Sequence, residues 1–148
     1  MTSALDEVVW MMNPKSETVS SFIAYLAAYT EEFLAKSDIT FRVEAPLSCP
    51  ERVLTSDARN NLFFAVKEAV NNAVRHGKPT RILLKFAVSA DNLAISISDN
   101  GCGYDPQTSP QGMGIVNIRD RMRKIRGLCQ IDSSFQIGTT ITIQVLLN

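Results

Sequence analysis

Between Ser56 and Gly77, in SDARNNLFFAVKEAVNNAVRHG, the chain places apolar and polar residues on two separate faces at helical spacing. At about 100° per residue, Leu62, Phe63, Val66, Ala69, Val70, Ala73 and Val74 share one sector, while Glu68, Asn72, Arg75 and His76 share another. Ser56 or Thr55 suits the cap, Asp57 sits favourably in the first turn, and Gly77 followed by Pro79 supplies a stop. A second helix is predicted from Ser16 to about Lys36, with Val19, Phe22, Ile23, Leu26, Tyr29 and Phe33 as its apolar stripe. Leu5 to Pro14 begins helically and halts at Asn13-Pro14, because the residue before proline is pushed out of the helical region.

Period-two alternation marks the strands. Ile39 to Glu44 reads as one half-buried strand, bounded downstream by Pro46 and Pro50. Ile82, Leu84, Phe86 and Val88 alternate in another, and Leu93, Ile95 and Ile97 in the next, with a hairpin turn near Ala90 to Asn92. The hairpin's second strand delivers Asp99 to the end of the sheet. Tyr104 to Gln111, with Pro106 and Pro110, is too rich in breakers for helix. A basic amphipathic helix follows from about Met113 to Arg126, with Gly127 as its C-cap, and strands Leu128 to Ser133 and Thr139 to Leu147 close the sheet.

Taken alone, a polar stripe on an amphipathic helix is most often a solvated face. Three glycine-rich stretches downstream change that: Asp99-Asn-Gly101-Cys-Gly103, Gly112-Met-Gly114, and Gly138-Thr139-Thr140. With Glu68-Ala-Val-Asn-Asn72-Ala-Val-Arg-His76 they resemble, in order, the N box and the glycine boxes of the GHKL (Bergerat-fold) ATP-binding superfamily. Within it, the short lid and compact length resemble the catalytic domain of bacterial sensor histidine kinases. Cys102, Tyr104 and Asn117 depart from the residues more usual in such relatives, and none of the three removes a motif residue.

The resemblance implies an α/β fold: a two-layer α/β sandwich with a mixed, mostly antiparallel sheet and helices on one face. It implies that residues 1–14 are the tail of a dimerisation helix or linker and that 15–148 form the catalytic domain. ATP and Mg²⁺ are the implied ligands. Asn72 would coordinate the metal, and Glu68 would orient a metal-bound water or act as a base. Arg75, His76, Gly112 and Gly114 would face the phosphates. Asp99, Gly101, Gly103 and Thr139 or Thr140 would hold the adenine. The chemistry agrees, because Mg²⁺ selects hard oxygen ligands and a carboxylate accepts from the exocyclic amine that adenine carries. Glycines before a helix N-terminus let phosphate approach unpaired backbone N–H groups. His76, the only histidine, also reads as an ordinary helix-end residue, and the family's phosphoacceptor lies on a separate helix.

Length and composition narrow the field further. The chain has 148 residues, enough for one domain with a real core. Its 15 basic and 15 acidic residues balance, so charge gives no case for nucleic acid or an anionic membrane as partner. The uncharged run from Thr18 to Thr30 is too short to span a bilayer, and no secretory leader pattern opens the chain. Cys49, Cys102 and Cys129 are odd in number and scattered, which fits reduced thiols in the cytoplasm better than a disulfide frame. The expected partners are the protein's own dimerisation domain and, indirectly, a response regulator, in a full-length homodimer. Two rivals share the motifs: an anti-sigma type serine kinase, and a pseudo-kinase that binds nucleotide without chemistry.

Overall fold

A computed structural model describes residues 18–104 and 113–147, with the Met113 side chain left out. The predicted segment Leu5–Pro14 and nearly all of the Tyr104–Gln111 loop lie outside those residues. Helix α1 spans Val19–Leu34, and the Thr18 hydroxyl caps it by accepting from the Ser21 N–H at 3.2 Å. Helix α2 spans Ser56–Asn72; Thr55 rather than Ser56 is its cap, accepting from the Ala58 N–H at 3.1 Å. Helix α3 spans Met113–Lys124. The strands are β1 Thr40–Glu44, β2 Arg81–Val88, β3 Asn92–Asp99, β4 Leu128–Ser134 and β5 Gly138–Leu146.

The five strands form one mixed sheet in the order β1-β2-β3-β5-β4, with β1 parallel to β2 and every other pair antiparallel. Alternation decides which face is covered. Ile82, Leu84 and Phe86 of β2, Leu93, Ile95 and Ile97 of β3, and Ile141, Ile143 and Val145 of β5 are buried with the apolar faces of the three helices. Opposite them on the open face run small polar pairs such as Ser98 and Thr140, whose hydroxyls lie 2.9 Å apart. This is the predicted two-layer sandwich with helices on one face. Phe63 of α2 ties two helices together, its ring meeting Tyr25 and Tyr29 of α1 at centroid distances of 5.8 and 5.1 Å. Truncating so buried an aromatic to alanine costs about 3 to 5 kcal/mol.

Four local expectations change. In α1 the stripe runs through Leu26, Thr30 and Leu34, all buried, so Phe33 is exposed and stacks flat against Tyr29. Thr30 is tolerated there because its hydroxyl donates to the Leu26 carbonyl at 2.8 Å. Strand β1 is mostly exposed rather than half-buried, since it is an edge strand held only by β2; Val43 keeps 38% of its surface. The left-handed residue that stops α2 is Lys78, with φ 48°, not Gly77. At the end of α3 it is Arg126, with φ 57°, not Gly127. The Arg126 N–H donates to the Arg123 carbonyl at 3.2 Å and the Gly127 N–H to the Met122 carbonyl at 2.8 Å, which is a Schellman closure one residue earlier than glycine alone suggests.

Candidate functional site

The last two turns of α2 and the turn after them supply one wall of a cavity. After Asn72 the helix widens into a single π turn, Ala73–Gly77, a feature often found at functional sites. Glu68 and Asn72 are half-buried, Arg75 and His76 exposed, and all four line the same space of about 440 Å³. That volume is in the range of small-molecule pockets. Asp99, Cys102, Gly103, Tyr104, Gly114 and Thr139 line its other sides, with Ala69, Ala73, Ile115 and Ile141 as apolar floor. The predicted polar stripe of α2 therefore lines a cavity.

Asp99 ends β3 directly opposite Thr139 of β5. Its Oδ1 accepts from the Gly101 N–H at 2.8 Å, and the Thr139 backbone N–H also donates to the carboxylate. Burial nevertheless wins and lifts the Asp99 pKa above the ordinary carboxylate value; the two N–H donors only partly offset it. Residues around Asp99 are tightly tied. The Asn100 Oδ1 accepts from the Thr80 and Arg81 N–H groups at 2.9 and 2.8 Å, while its Nδ2 donates to the Thr80 hydroxyl at 2.8 Å. The Cys102 N–H donates to the Gly77 carbonyl at 2.8 Å, and the Cys102 thiol lies 3.3 Å from the His76 carbonyl. These bonds fix the end of α2 against the end of β3.

The predicted glycines take different roles. Gly103 has φ 59°, a left-handed conformation that an L side chain adopts at a cost, and a Cβ there would run into the Ser134 carbonyl. Gly114, at the start of α3, lies against the Asn72 carboxamide, which a Cβ would displace. The neighbouring Gly112 lies outside the described residues. Gly101 is buried against the Gly77 carbonyl, where a Cβ would clash, and does not line the cavity.

Thr139 and Thr140 are separated by the strand's alternation. Thr139 faces the cavity and pairs across strands with Asp99 and Ser133; Thr140 faces the opposite side of the sheet and pairs with Ser98 and Asp132. Of the two threonines expected to serve the base, register puts Thr139 alone on the cavity side, because adjacent residues of a strand cannot share a face. Sequence reasoning also missed Ser133, whose hydroxyl is 2.7 Å from that of Thr139 and accepts the Tyr104 N–H at 2.9 Å. Counting back from the Phe135–Gly138 turn would have paired Ser133 with Thr139. Ile115 and Ile141 were readable only as core.

Among the described residues no group of three or more His, Cys, Asp or Glu side chains forms a metal site by itself. Mg²⁺ does not need one, because it is commonly held by one or two protein oxygens together with substrate phosphates and waters. The Asn72 and Glu68 side-chain oxygens, one turn apart on the cavity wall, fit that mode. No helix among the described residues is long and apolar enough to cross a membrane.

Residues 57–148 match the family described as "Histidine kinase-, DNA gyrase B-, and HSP90-like ATPase". The chain is similar to the sensor histidine kinase MctS of Rhizobium johnstonii, at 31% identity over 123 residues, covering 80% of this chain and 26% of that protein. It is also similar to the signal transduction histidine-protein kinase/phosphatase DegS of Bacillus subtilis, at 29% identity over 123 residues, covering 80% of this chain and 31% of that protein. The chain therefore spans about a quarter to a third of the length of these relatives. Among solved structures, the ATP binding domain of PrrB from Mycobacterium tuberculosis superposes with a TM-score of 0.69 at 18% identity, covering 88% of this chain and 95% of that one. That likeness concerns the fold.

Proposed function

Because the chain belongs to the family of histidine kinase-, DNA gyrase B- and HSP90-like ATPases, we propose that it is the ATP-binding catalytic domain of a sensor histidine kinase, passing the γ-phosphoryl group of ATP to a histidine on a dimerisation domain outside this chain. The observation that carries the reading is the convergence of Glu68, Asn72, Arg75 and His76 with Asp99 and Thr139 around one cavity, from elements far apart in sequence. The similarity to sensor histidine kinases favours this family member over a serine kinase or a pseudo-kinase.

ATP is the substrate, and each end of the cavity suits one end of it. The Asp99 carboxylate accepts from the 6-amino group of adenine, where guanine carries a carbonyl oxygen, while Ile115 and Ile141 pack against the base. Asn72 would hold Mg²⁺, with Glu68 one turn earlier placed to orient a metal-bound water, and the metal would supply neutralisation of triphosphate charge. Arg75 and His76 add donors at the same end, and Gly114 leaves the Asn72 carboxamide room beside the first turn of α3. Gly112, outside the described residues, would contact the phosphates on this reading. Phosphoryl transfer asks mainly for positioning and charge stabilisation, which these groups provide. Glu68, as base or as the orienter of a bound water, keeps the acceptor imidazole able to attack; transfer yields phosphohistidine and ADP.

Residues 1–14 would enter from the dimerisation helix, the full-length protein would be a homodimer working in the cytoplasm, and a response regulator would then take the phosphoryl group. The test is transfer between separate pieces. The chain incubated with labelled ATP should not label itself, yet should label a histidine on the dimerisation domain supplied as a second polypeptide. Loss of the intact linker's effective concentration makes that transfer slow without abolishing it. An acid-labile, base-stable product supports the proposal. Phosphoserine on another protein, or ATP binding with no transfer at all, would overturn it.

A further inference from the structure

Across three strands at one end of the sheet, Asp99, Thr139 and Ser133 occupy successive paired positions and so share one face. Asp99 and Thr139 line the cavity; Ser133 stands behind Thr139. A serine hydroxyl offers one proton and two acceptor sites. Ser133 Oγ accepts the Tyr104 N–H at 2.9 Å, and two acceptors compete for its proton: the Thr139 hydroxyl at 2.7 Å and the Gly138 carbonyl at 3.4 Å. The shorter contact is at the usual O–H···O distance and the longer one is well beyond it. The Asp99 charge points to the same arrangement. Were Thr139 to donate to Ser133, its lone pairs would face the cavity beside the lone pairs of the Asp99 carboxylate; with Ser133 donating to Thr139, the Thr139 proton faces the cavity instead.

We propose that Ser133 is a positioning residue for base selection, fixing the Thr139 hydroxyl as a hydrogen-bond donor beside the Asp99 acceptor so that the pair matches the edge of adenine and mismatches that of hypoxanthine or guanine. The inference rests on the nucleotide reading above and deepens it. Adenine presents an amino donor next to a ring-nitrogen acceptor; hypoxanthine presents an oxygen acceptor next to an N–H donor. Asp99 alone discriminates at the first position. Ser133, acting through Thr139, discriminates at the second, directly or through one bridging water, and a hydroxyl that already accepts a hydrogen bond is the stronger donor. Because Ser133 also holds the Tyr104 N–H, the same side chain ties Tyr104 to the base end of the site.

Calorimetric titration with Mg-ATP and Mg-ITP separates this from a structural role. In the parent, ATP should bind more tightly than ITP. Ser133→Ala should weaken ATP about three- to ten-fold, the worth of one hydrogen bond, and leave ITP nearly unchanged, so the ratio falls. Ser133→Thr, which keeps the hydroxyl on a strand position, should restore the ratio. Thr139→Val should lower it as much, and adding Ser133→Ala to Thr139→Val should lower it no further. Equal losses for both nucleotides in Ser133→Ala, or an unchanged ratio in Thr139→Val, would overturn the inference while leaving ATP binding intact. A parent that binds neither nucleotide, or binds both equally, would instead overturn the nucleotide or base reading itself, and this inference with it.

Discussion

The two ends of the cavity are built differently. At the base end almost every polar group is already engaged: Asp99 accepts from Gly101 and Thr139, Asn100 closes three hydrogen bonds to Thr80 and Arg81, and Ser133 holds both Thr139 and Tyr104. At the phosphate end the side chains of Glu68, Asn72, Arg75 and His76 have no hydrogen-bond partner among the described residues, and two of the four are exposed. A rigid, prepaired end suits reading a flat base, where a small misplacement destroys selectivity. An end with uncommitted polar side chains suits a charged ligand and a metal that bring their own partners. The difference predicts that substitutions at the phosphate end spare folding and cost chemistry, whereas losing the hydrogen bonds that brace the base end costs stability.

The largest effect should come from Asn72→Ala: phosphotransfer to the dimerisation domain falls about 100-fold, in line with losses at metal-supporting residues. Nucleotide affinity should drop more with Mg²⁺ than with EDTA, and the melting temperature of the ligand-free chain should barely move. A magnesium-independent loss with a lowered melting temperature would erase the contrast between the ends. Next in size, Asp99→Asn should weaken ATP by about 1.5 to 3 kcal/mol, the usual worth of a hydrogen bond to a charged group, as read by titration. Asn100→Ala loses three hydrogen bonds without touching the cavity. It should destabilise the ligand-free chain by about 1 to 3 kcal/mol, or roughly 3 to 10 °C at this size, measured by thermal unfolding.

The smallest effect is on pH dependence and has the opposite sign to the loss of binding. The folded Asp99 pKa is raised, so its contribution to stability is fully present below the unfolded carboxylate value and is lost as pH rises through the folded one. The ligand-free chain should therefore lose some stability over that window above the ordinary carboxylate pKa. Asp99→Asn should flatten that part of the curve and make the ligand-free chain slightly more stable near neutral pH while it binds ATP worse. Parallel curves for the two proteins would show that burial of Asp99 exacts no cost.

Much of this protein was legible in its residues because its two periodicities are clean. The 3.6-residue period of α2 separated Leu62, Phe63, Val66 and Ala69 from Glu68 and Asn72, and the two-residue period of β2 and β3 identified the faces that became core. Local chemistry marked the start of α2 at a hydroxyl cap and the motif glycines near the turns. Where local rules misled, a tertiary neighbour had decided. Glycine propensity put the helix ends at Gly77 and Gly127, but the chain turns left-handed at Lys78 and Arg126, and both glycines serve close packing: Gly77 beside Asp99, and Gly127 against the Gln144 carbonyl of β5.

The sequence by itself determined which residues are polar at the site, in which order they come, and which side of each helix or strand they occupy, since those follow from backbone geometry within one element. Only the tertiary structure decided that Thr139 and not Thr140 faces the cavity, that Gly101 packs against Gly77 and does not line it, and that Ser133 stands behind Thr139. Those facts depend on the register of β3, β5 and β4. Register is set by the packing of a whole sheet face against the helices, and a shift of one residue would exchange every inward side chain for an outward one.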